Sequence, residues 1–562
     1  MNRAILKHLF VAGILTVFLS SSVSAQMQTG FTIDGDSGGD NFGWDVNEAG
    51  DVNGDGIKDF IVGAVGDANS TTPNTGSAKV LSGADGSLIH VVYGEFNGDL
   101  FGHSASGAGD VNNDGFDDFI VGAPNNSVSG FLDGRVQVFS GADGSVLYSY
   151  DGAPISGPDF FGWAVCAAGD INGDGFADFA ASAPGQANAF QVGSVTIFSG
   201  ADGNVLLTHQ GGIWGNRYGY SINNAGDVNN DGKPDMLVGT PLQWSGAGIF
   251  GSLRVVSGDD GSVIHGVLGP TLGVPFGSDV SCAGDVDNDG CNDIVVGNVL
   301  PGNMSPSEIC ARVYSGADAS LIFELNGNVS GGTGFVGSSV GKAGDVNGDG
   351  HDDVIVGSPL SMSGSGRTGS ARVFSGRDGS IMHAIDGKHH DDAFGFSVSG
   401  AGDLNGDGFS DLLVGAQQTT ANGSFTGSAS VFFAPPMPIL SYDSASMASD
   451  LSLEWAPDNG DDQSMTGSLK STGGATYGTA AFGLSFAPAD YQLPSGAPLL
   501  LAIDTTNLIY IGGITFDING DFNVANVSRQ HPYIAGFYVH VQFFQLAPFK
   551  ASSNGVRMKI EM

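Results

Sequence analysis

Basic residues are scarce: 19 Lys plus Arg stand against 59 Asp plus Glu in 562 residues, a formal net charge of −40. So few cations cannot assemble the long positive surface that a nucleic-acid backbone requires. Charge of either sign is thin, 14% of residues where ~25% is usual. Cysteine is limited to Cys166, Cys282, Cys291 and Cys310. Beyond the N-terminus no apolar run approaches the ~20 residues that span a bilayer. The glycines lack a three-residue period, which excludes collagen. What abounds is glycine itself, 92 residues, within a chain that is 41% hydrophobic. Such a chain can bury a large core, so wholesale disorder is excluded.

The N-terminus reads as an export signal over residues 1–25. Arg3 and Lys7 precede the apolar run Leu9–Leu19, and Ser20–Ala25 supplies a small-residue end with cleavage after about Ala25. The run is too short for a membrane anchor. Export permits disulfides. The four cysteines allow three full pairings. The repeat described next leaves room for at most one bridge, among Cys282, Cys291 and Cys310, or for four buried thiols.

Ala-Gly-Asp, or a close variant, recurs with its Asp at 51, 110, 170, 227, 285, 345 and 403, at intervals of 57 to 60 residues. Each unit holds four short runs rich in Val, Ile and Phe, bounded by Gly, Asp and Asn, which are strand signals. Four strands joined by tight turns make an antiparallel sheet, and seven such sheets set radially make an all-β, seven-bladed propeller over residues 26–435. The seventh unit stops at Gly427–Phe433, one strand short. Gly30–Asp34 is the spare strand that would complete it and close the ring.

Each unit also carries Asp-x-(Asn/Asp)-x-Asp-Gly-x-x-Asp. Side-chain oxygens at positions 1, 3 and 5, the carbonyl at position 7 and the carboxylate at position 9 can converge on one Ca²⁺, which takes six to eight oxygens. The candidate ligands are Asp51, Asn53, Asp55, Ile57 and Asp59 in the first loop, then Asp110, Asn112, Asp114, Phe116 and Asp118. The third loop offers Asp170, Asn172, Asp174, Phe176 and Asp178, the fourth Asp227, Asn229, Asp231, Lys233 and Asp235. Asp285, Asp287, Asp289, Cys291 and Asp293 form the fifth, and Asp345, Asn347, Asp349, His351 and Asp353 the sixth. The seventh is Asp403, Asn405, Asp407, Phe409 and Asp411. Positions 1, 3, 5 and 9 alone hold 22 of the 59 acids, so much of the negative charge sits where a cation would be held. No His or Cys side chain occupies a ligand position, which argues against zinc. A helix–loop–helix calcium site is excluded, because position 12 carries strand residues such as Val62 rather than Glu. Up to seven structural calcium ions are expected.

These units resemble FG-GAP repeats, the blades of the seven-bladed propeller at the N-terminus of integrin α subunits and of many exported bacterial proteins. The FG element stands as Phe42-Gly43, Phe101-Gly102, Phe161-Gly162, Tyr218-Gly219, Phe276-Gly277 and Phe394-Gly395, with Val336-Gly337 in the sixth unit. The GAP element is intact at Gly122-Ala123-Pro124 and varied elsewhere, for instance Ser182-Ala183-Pro184. The resemblance implies calcium binding and adhesion, with an extracellular protein or glycan as partner.

Alternating strands place the Asp-rich loops and the Gly-Ala-Asp-Gly turns on one face. The longer, more varied loops before FG and after GAP lie on the other, which is where specificity is expected. Trp214, Arg217, Trp244 and Phe250 are the candidate ligand residues there. His389-His390-Asp391-Asp392 reads as a solvated polar loop. No nucleophile elbow, zincin motif or P-loop is present. An extracellular hydrolase or lyase on polysaccharide or phosphoester, built on the propeller, is the alternative reading. Residues 436–562 read as a small all-β, sandwich-like domain, from alternating stretches at Leu499–Ile503, Leu508–Phe516, Gly536–Leu546 and Val556–Ile560.

Overall fold

The computed structural model describes residues 27–435, apart from 70, 128–131, 154–157, 186–191, 213–214, 247, 271, 299–308, 328–336, 364–365 and 421–424, together with the backbone of four strands between 499 and 524. The export segment, Trp214 and Val336 lie outside the described residues. Residues 24–438 form one compact unit, and 439–562 belong to a second.

Within the first unit the chain forms seven four-stranded antiparallel sheets. Blade 1 runs Phe42–Gly50, Asp59–Ala64, Ser77–Leu81 and Leu88–Tyr93 in that order. The register sets Val46 opposite Val62, Ile61 opposite Val80 and Ala78 opposite Val92. Blades 2 to 6 repeat this order. Blade 7 consists of Phe394–Gly402, Asp411–Ala416 and Ser428–Phe433, and its outer strand is Gln28–Asp34 from the other end of the unit. That strand is two residues longer than the sequence pattern gave, and it closes the ring as expected. Inner strands touch their neighbours all the way round, and the inner strand of blade 7 touches that of blade 1.

Burial follows from position. The second strand of blade 1, DFIVGA, is buried along its whole length because both of its faces meet a neighbouring blade. The outer strand in blade 3, VLLTHQ, alternates instead, with one face in water. Apolar side chains therefore pool between blades. Phe42, Val46, Phe60 and Val62 of blade 1 pack with Leu413 and Val431 of blade 7. The FG glycine explains itself in this packing. Gly102 has a φ of +83°, and a Cβ on it would sit 2.2 Å from the Ser77 carbonyl oxygen. Only glycine accepts that backbone at that distance.

All four cysteines are free thiols, so the bridge allowed among Cys282, Cys291 and Cys310 is not formed. Cys166 and Cys310 are buried in two separate interblade cores, where burial pushes each thiol up to about 12. In the second unit Leu499–Asp504 pairs with Asn507–Ile511, and Ile514–Phe516 with Phe522–Val524. The stretches at 536–546 and 556–560 lie outside the described residues.

Candidate metal centres and the opposite face

The inner strand delivers each Asp-rich loop to one end of its blade, and all seven loops are built alike. The position-5 N–H donates to one oxygen of the position-1 Asp at 3.0–3.1 Å. The glycine N–H at position 6 donates to the other oxygen at 2.8–3.1 Å. The position-7 N–H donates to the position-5 carboxylate at 2.8–3.1 Å. These bonds coil the loop so that its carboxylates face one another. In the fifth loop, oxygens of Asp285, Asp287 and Asp289 all lie within 4.8 Å of one another. That is about the separation of two oxygens across one Ca²⁺ at ~2.4 Å. The donor set is entirely oxygen, so these residues fit a hard divalent cation.

Position 9 does more than close a shell. Asp59 is 2% exposed and Asp118, Asp178, Asp235, Asp293, Asp353 and Asp411 are 0% exposed. One oxygen of Asp118 takes the Val111 N–H at 2.9 Å, and the other takes the Gly141 N–H at 2.8 Å, tying the loop to the turn that follows the third strand. The same pair of bonds recurs in every blade, with Ala434 N–H in place of the glycine in blade 7. Burial pushes the Asp353 carboxyl up to about 8, against its backbone hydrogen bonds and with the charges of Asp349 and Asp345 adding to the rise. Asp293 is pushed up to about 7 on the same grounds, with Asp287 the neighbouring charge. Carboxylates so placed favour a nearby positive charge.

The opposite face is built around the FG elements. The residue after the FG glycine carries a ring in five consecutive blades, and these rings lie side by side. Phe396 and Trp44 are 5.1 Å apart, Trp44 and His103 5.8 Å, His103 and Trp163 4.5 Å, and Trp163 and Tyr220 5.2 Å, centroid to centroid. Ser278 takes this place in blade 5 and Ser338 in blade 6. The result is a half-buried aromatic arc that runs through five of the seven blades. Arg217, exposed and with a φ of +56°, lays its guanidinium 5.9 Å from the Tyr220 ring. Trp244 is 54% exposed on a short hairpin opposite Ile249, and Phe250 follows half-buried at its base. Arg217 thus joins the arc, whereas Trp244 and Phe250 belong to a separate projection. His390 meets Asp391 at 2.6 Å and Arg367 meets the same carboxylate at 2.7 Å, so that loop is polar and self-paired.

Two features of this face were missed by sequence reasoning. One is the arc, legible as Trp, His, Trp, Tyr or Phe directly after five FG glycines. The other is an Asp or Asn two residues before the FG aromatic: Asp40, Asp99, Asp159, Asn216 and Asp392. Its carbonyl accepts an N–H from the post-GAP loop in each of the five blades, at 3.0–3.3 Å. It pins the two variable loops together. Further along the inner strands, Asp45 and Asp279 lie three residues after their FG aromatics. Burial pushes Asp45 up to about 6 and Asp279 up to about 7, the latter with the Asp45 charge contributing.

With this geometry in hand, comparison with known proteins is decisive for the repeat. The FG-GAP repeat profile matches residues 101–139, 161–198, 336–374 and 394–432, which are blades 2, 3, 6 and 7. These blades are FG-GAP repeats. The chain is also similar to integrin alpha-8 of Mus musculus, 32% identical over 213 residues, covering 35% of this chain and 19% of the integrin. Integrin alpha-5 of Xenopus laevis is 34% identical over 213 residues, 35% of this chain and 20% of its own. For integrin alpha-3 of Cricetulus griseus the identity is 34% over 170 residues, 28% and 16% of the two chains. The matched stretch spans a fifth or less of these curated relatives. The FG-GAP ring is integrin α-like in sequence and in its seven blades. Among the described residues no helix is long and apolar enough to cross a membrane.

Proposed function

We propose that the protein is an exported, calcium-stabilised FG-GAP propeller that serves as an adhesion or ligand-binding module. The observation that carries this reading is the division between its faces. One face repeats the same oxygen-lined loop seven times, and the other bears a graded aromatic arc with Arg217 at its end. Calcium is structural here: positions 1, 3, 5, 7 and 9 of each loop would hold it, and the ion would neutralise carboxylates that the fold brings together. The loops offer no acid, base or nucleophile arranged for turnover, which places catalysis second. The chain enters the ring at Gln28 and leaves it after Phe433, two residues paired at the metal-loop end. The partner proposed for the aromatic face is an extracellular protein or glycan. A glycan and protein array with calcium and with chelator tests the reading. Calcium-dependent capture that is lost in W44A/W163A supports the module. Release of product from a polysaccharide or phosphoester would replace it with the enzyme.

A further inference from the structure

Two hydrogen bonds recur at the joints between blades, one at six of the seven joints and the other at four, and a single joint has neither. Around the axis, the residue three places after each FG aromatic accepts an N–H from the next blade. Ser397 takes Val46 at 3.1 Å, Asp45 takes Ala105 at 2.9 Å and Ser104 takes Val165 at 3.1 Å. Ser221 takes Val280 at 3.1 Å, Asp279 takes Val340 at 2.8 Å and Ser339 takes Val398 at 3.1 Å. Between blades 3 and 4 the residue is Ala164, whose side chain has no acceptor to offer. On the loop face, the position-8 N–H of one loop donates to the position-1 carbonyl of the loop before it: Asp117 to Asp51, Ala177 to Asp110, Asp352 to Asp285 and Ser410 to Asp345, at 3.1–3.3 Å. In blade 4 that residue is Pro234, which has no N–H.

The same joint is also wider than the five others given by their FG glycines. The GAP glycine normally abuts the next FG glycine so closely that a Cβ would lie 2.0–2.5 Å from its carbonyl oxygen, as at Gly63, Gly122, Gly239, Gly297, Gly357 and Gly415. Blade 3 has Ser182 there, whose real Cβ must be accommodated. A Cβ on Gly219 would stand 3.0 Å from the Ser194 oxygen, whereas at Gly43, Gly102, Gly162, Gly277 and Gly395 the equivalent distance is 2.2–2.5 Å. Finally, the FG aromatic of blade 4 is Tyr218, 0% exposed, and its Oη has no hydrogen-bond partner among the described residues. A buried unpaired hydroxyl is a standing cost.

We propose that the joint between blades 3 and 4 is the built-in seam of the propeller, the place where the ring opens first. The strand exchange in blade 7, where the two ends of the ring meet, is not the weak point: its joint with blade 1 lacks the loop-face bond but keeps the Ser397 bond and a close glycine contact. Opening at the seam uncovers the core shared by Cys166, Val195, Tyr218, Ile222 and Met236.

Native thiols report on this directly, because Cys166 is buried at the seam and Cys310 is buried between blades 5 and 6. The full chain, with calcium held constant, is treated with iodoacetamide in sub-denaturing urea, and each cysteine is followed by peptide mass spectrometry. Cys166 should be alkylated at least tenfold faster than Cys310. A164S and Y218F, which restore the acceptor and remove the unpaired hydroxyl, should each slow Cys166 about fivefold, the worth of one neutral hydrogen bond, and leave Cys310 unchanged. Equal rates for the two thiols would overturn the proposal. So would a fast Cys166 that neither variant slows, or hydrogen exchange that frees Gln28–Asp34 before the seam.

Discussion

The two faces of the ring obey different rules. On the loop face every blade repeats one set of bonds to within a few tenths of an ångström, whatever residues fill the spaces between the ligands. On the aromatic face the corresponding positions run Trp, His, Trp, Tyr, Ser, Ser and Phe. Uniformity belongs to the face whose work is the same in every blade, namely holding charge and closing loops. Variety belongs to the opposite face, where five kinds of side chain fill the seven positions. The contrast predicts that perturbing the loop face costs stability, while perturbing the aromatic face costs recognition.

The largest effect should come from removing cations. A site occupied at tenfold excess over its dissociation constant adds about 1.4 kcal/mol to the folded state. Seven such sites add on the order of 10 kcal/mol, as much as a whole domain's stability. Adding chelator to the mature protein should therefore lower Tm by well over ten degrees in a thermal melt. If Tm holds, the loop face has been given the wrong task.

Next in size is Asp118→Ala, which strands the buried Val111 and Gly141 N–H groups and removes a candidate ligand. The loss should be about 3 kcal/mol or more in urea unfolding. Asp118→Asn, which keeps an acceptor, should lose less. Equal stability of Asp118→Ala and wild type would show that the tie is idle.

Between the faces, Asp279 offers a pH test. Its folded carboxyl is raised to about 7 from an ordinary value of 3.8, chiefly by burial. Between those limits the unfolded chain ionises this group while the folded ring does not, so its contribution destabilises the fold increasingly as pH rises through about 4 to 7. Asp279→Asn keeps an acceptor for Val340 and removes the charge. Its Tm should exceed wild type by a few degrees at pH 8 and match it near pH 4. A variant less stable at pH 8 would contradict the sign.

The smallest effect on stability, and the largest on binding, belongs to the aromatic face. Trp244→Ala should change stability by no more than about 0.5 kcal/mol, as exposed positions do. Trp44→Ala and Trp163→Ala should reduce partner capture at least tenfold with a small change in Tm. Capture that survives in both would move the recognition surface away from the arc.

Legibility in the sequence follows the same division. The seven loops, the FG glycines and the strand that closes blade 7 were readable because each is a local pattern repeated at one period. Gly102 must be glycine for a reason inside its own joint, and that reason recurs. The aromatic arc was not read, because Trp44, His103 and Trp163 are 59 and 60 residues apart and become neighbours only when blades stand side by side. The interest in Trp214 and Trp244 came from aromatic character on variable loops beside Arg217, which cannot separate an exposed ring on a hairpin from one that joins a cluster. The cysteine pattern left one bridge and four buried thiols equally open; all four are free, with Cys166 and Cys310 buried and Cys282 and Cys291 half-buried.

The most direct test of the account is a count of ions. Native mass spectrometry of the mature protein, exchanged into a volatile buffer containing calcium, should show up to seven calcium ions per folded chain, with occupancy lost on addition of chelator as the charge-state distribution shifts toward unfolding. A folded chain that carries no calcium, and whose charge states do not move with chelator, would contradict it.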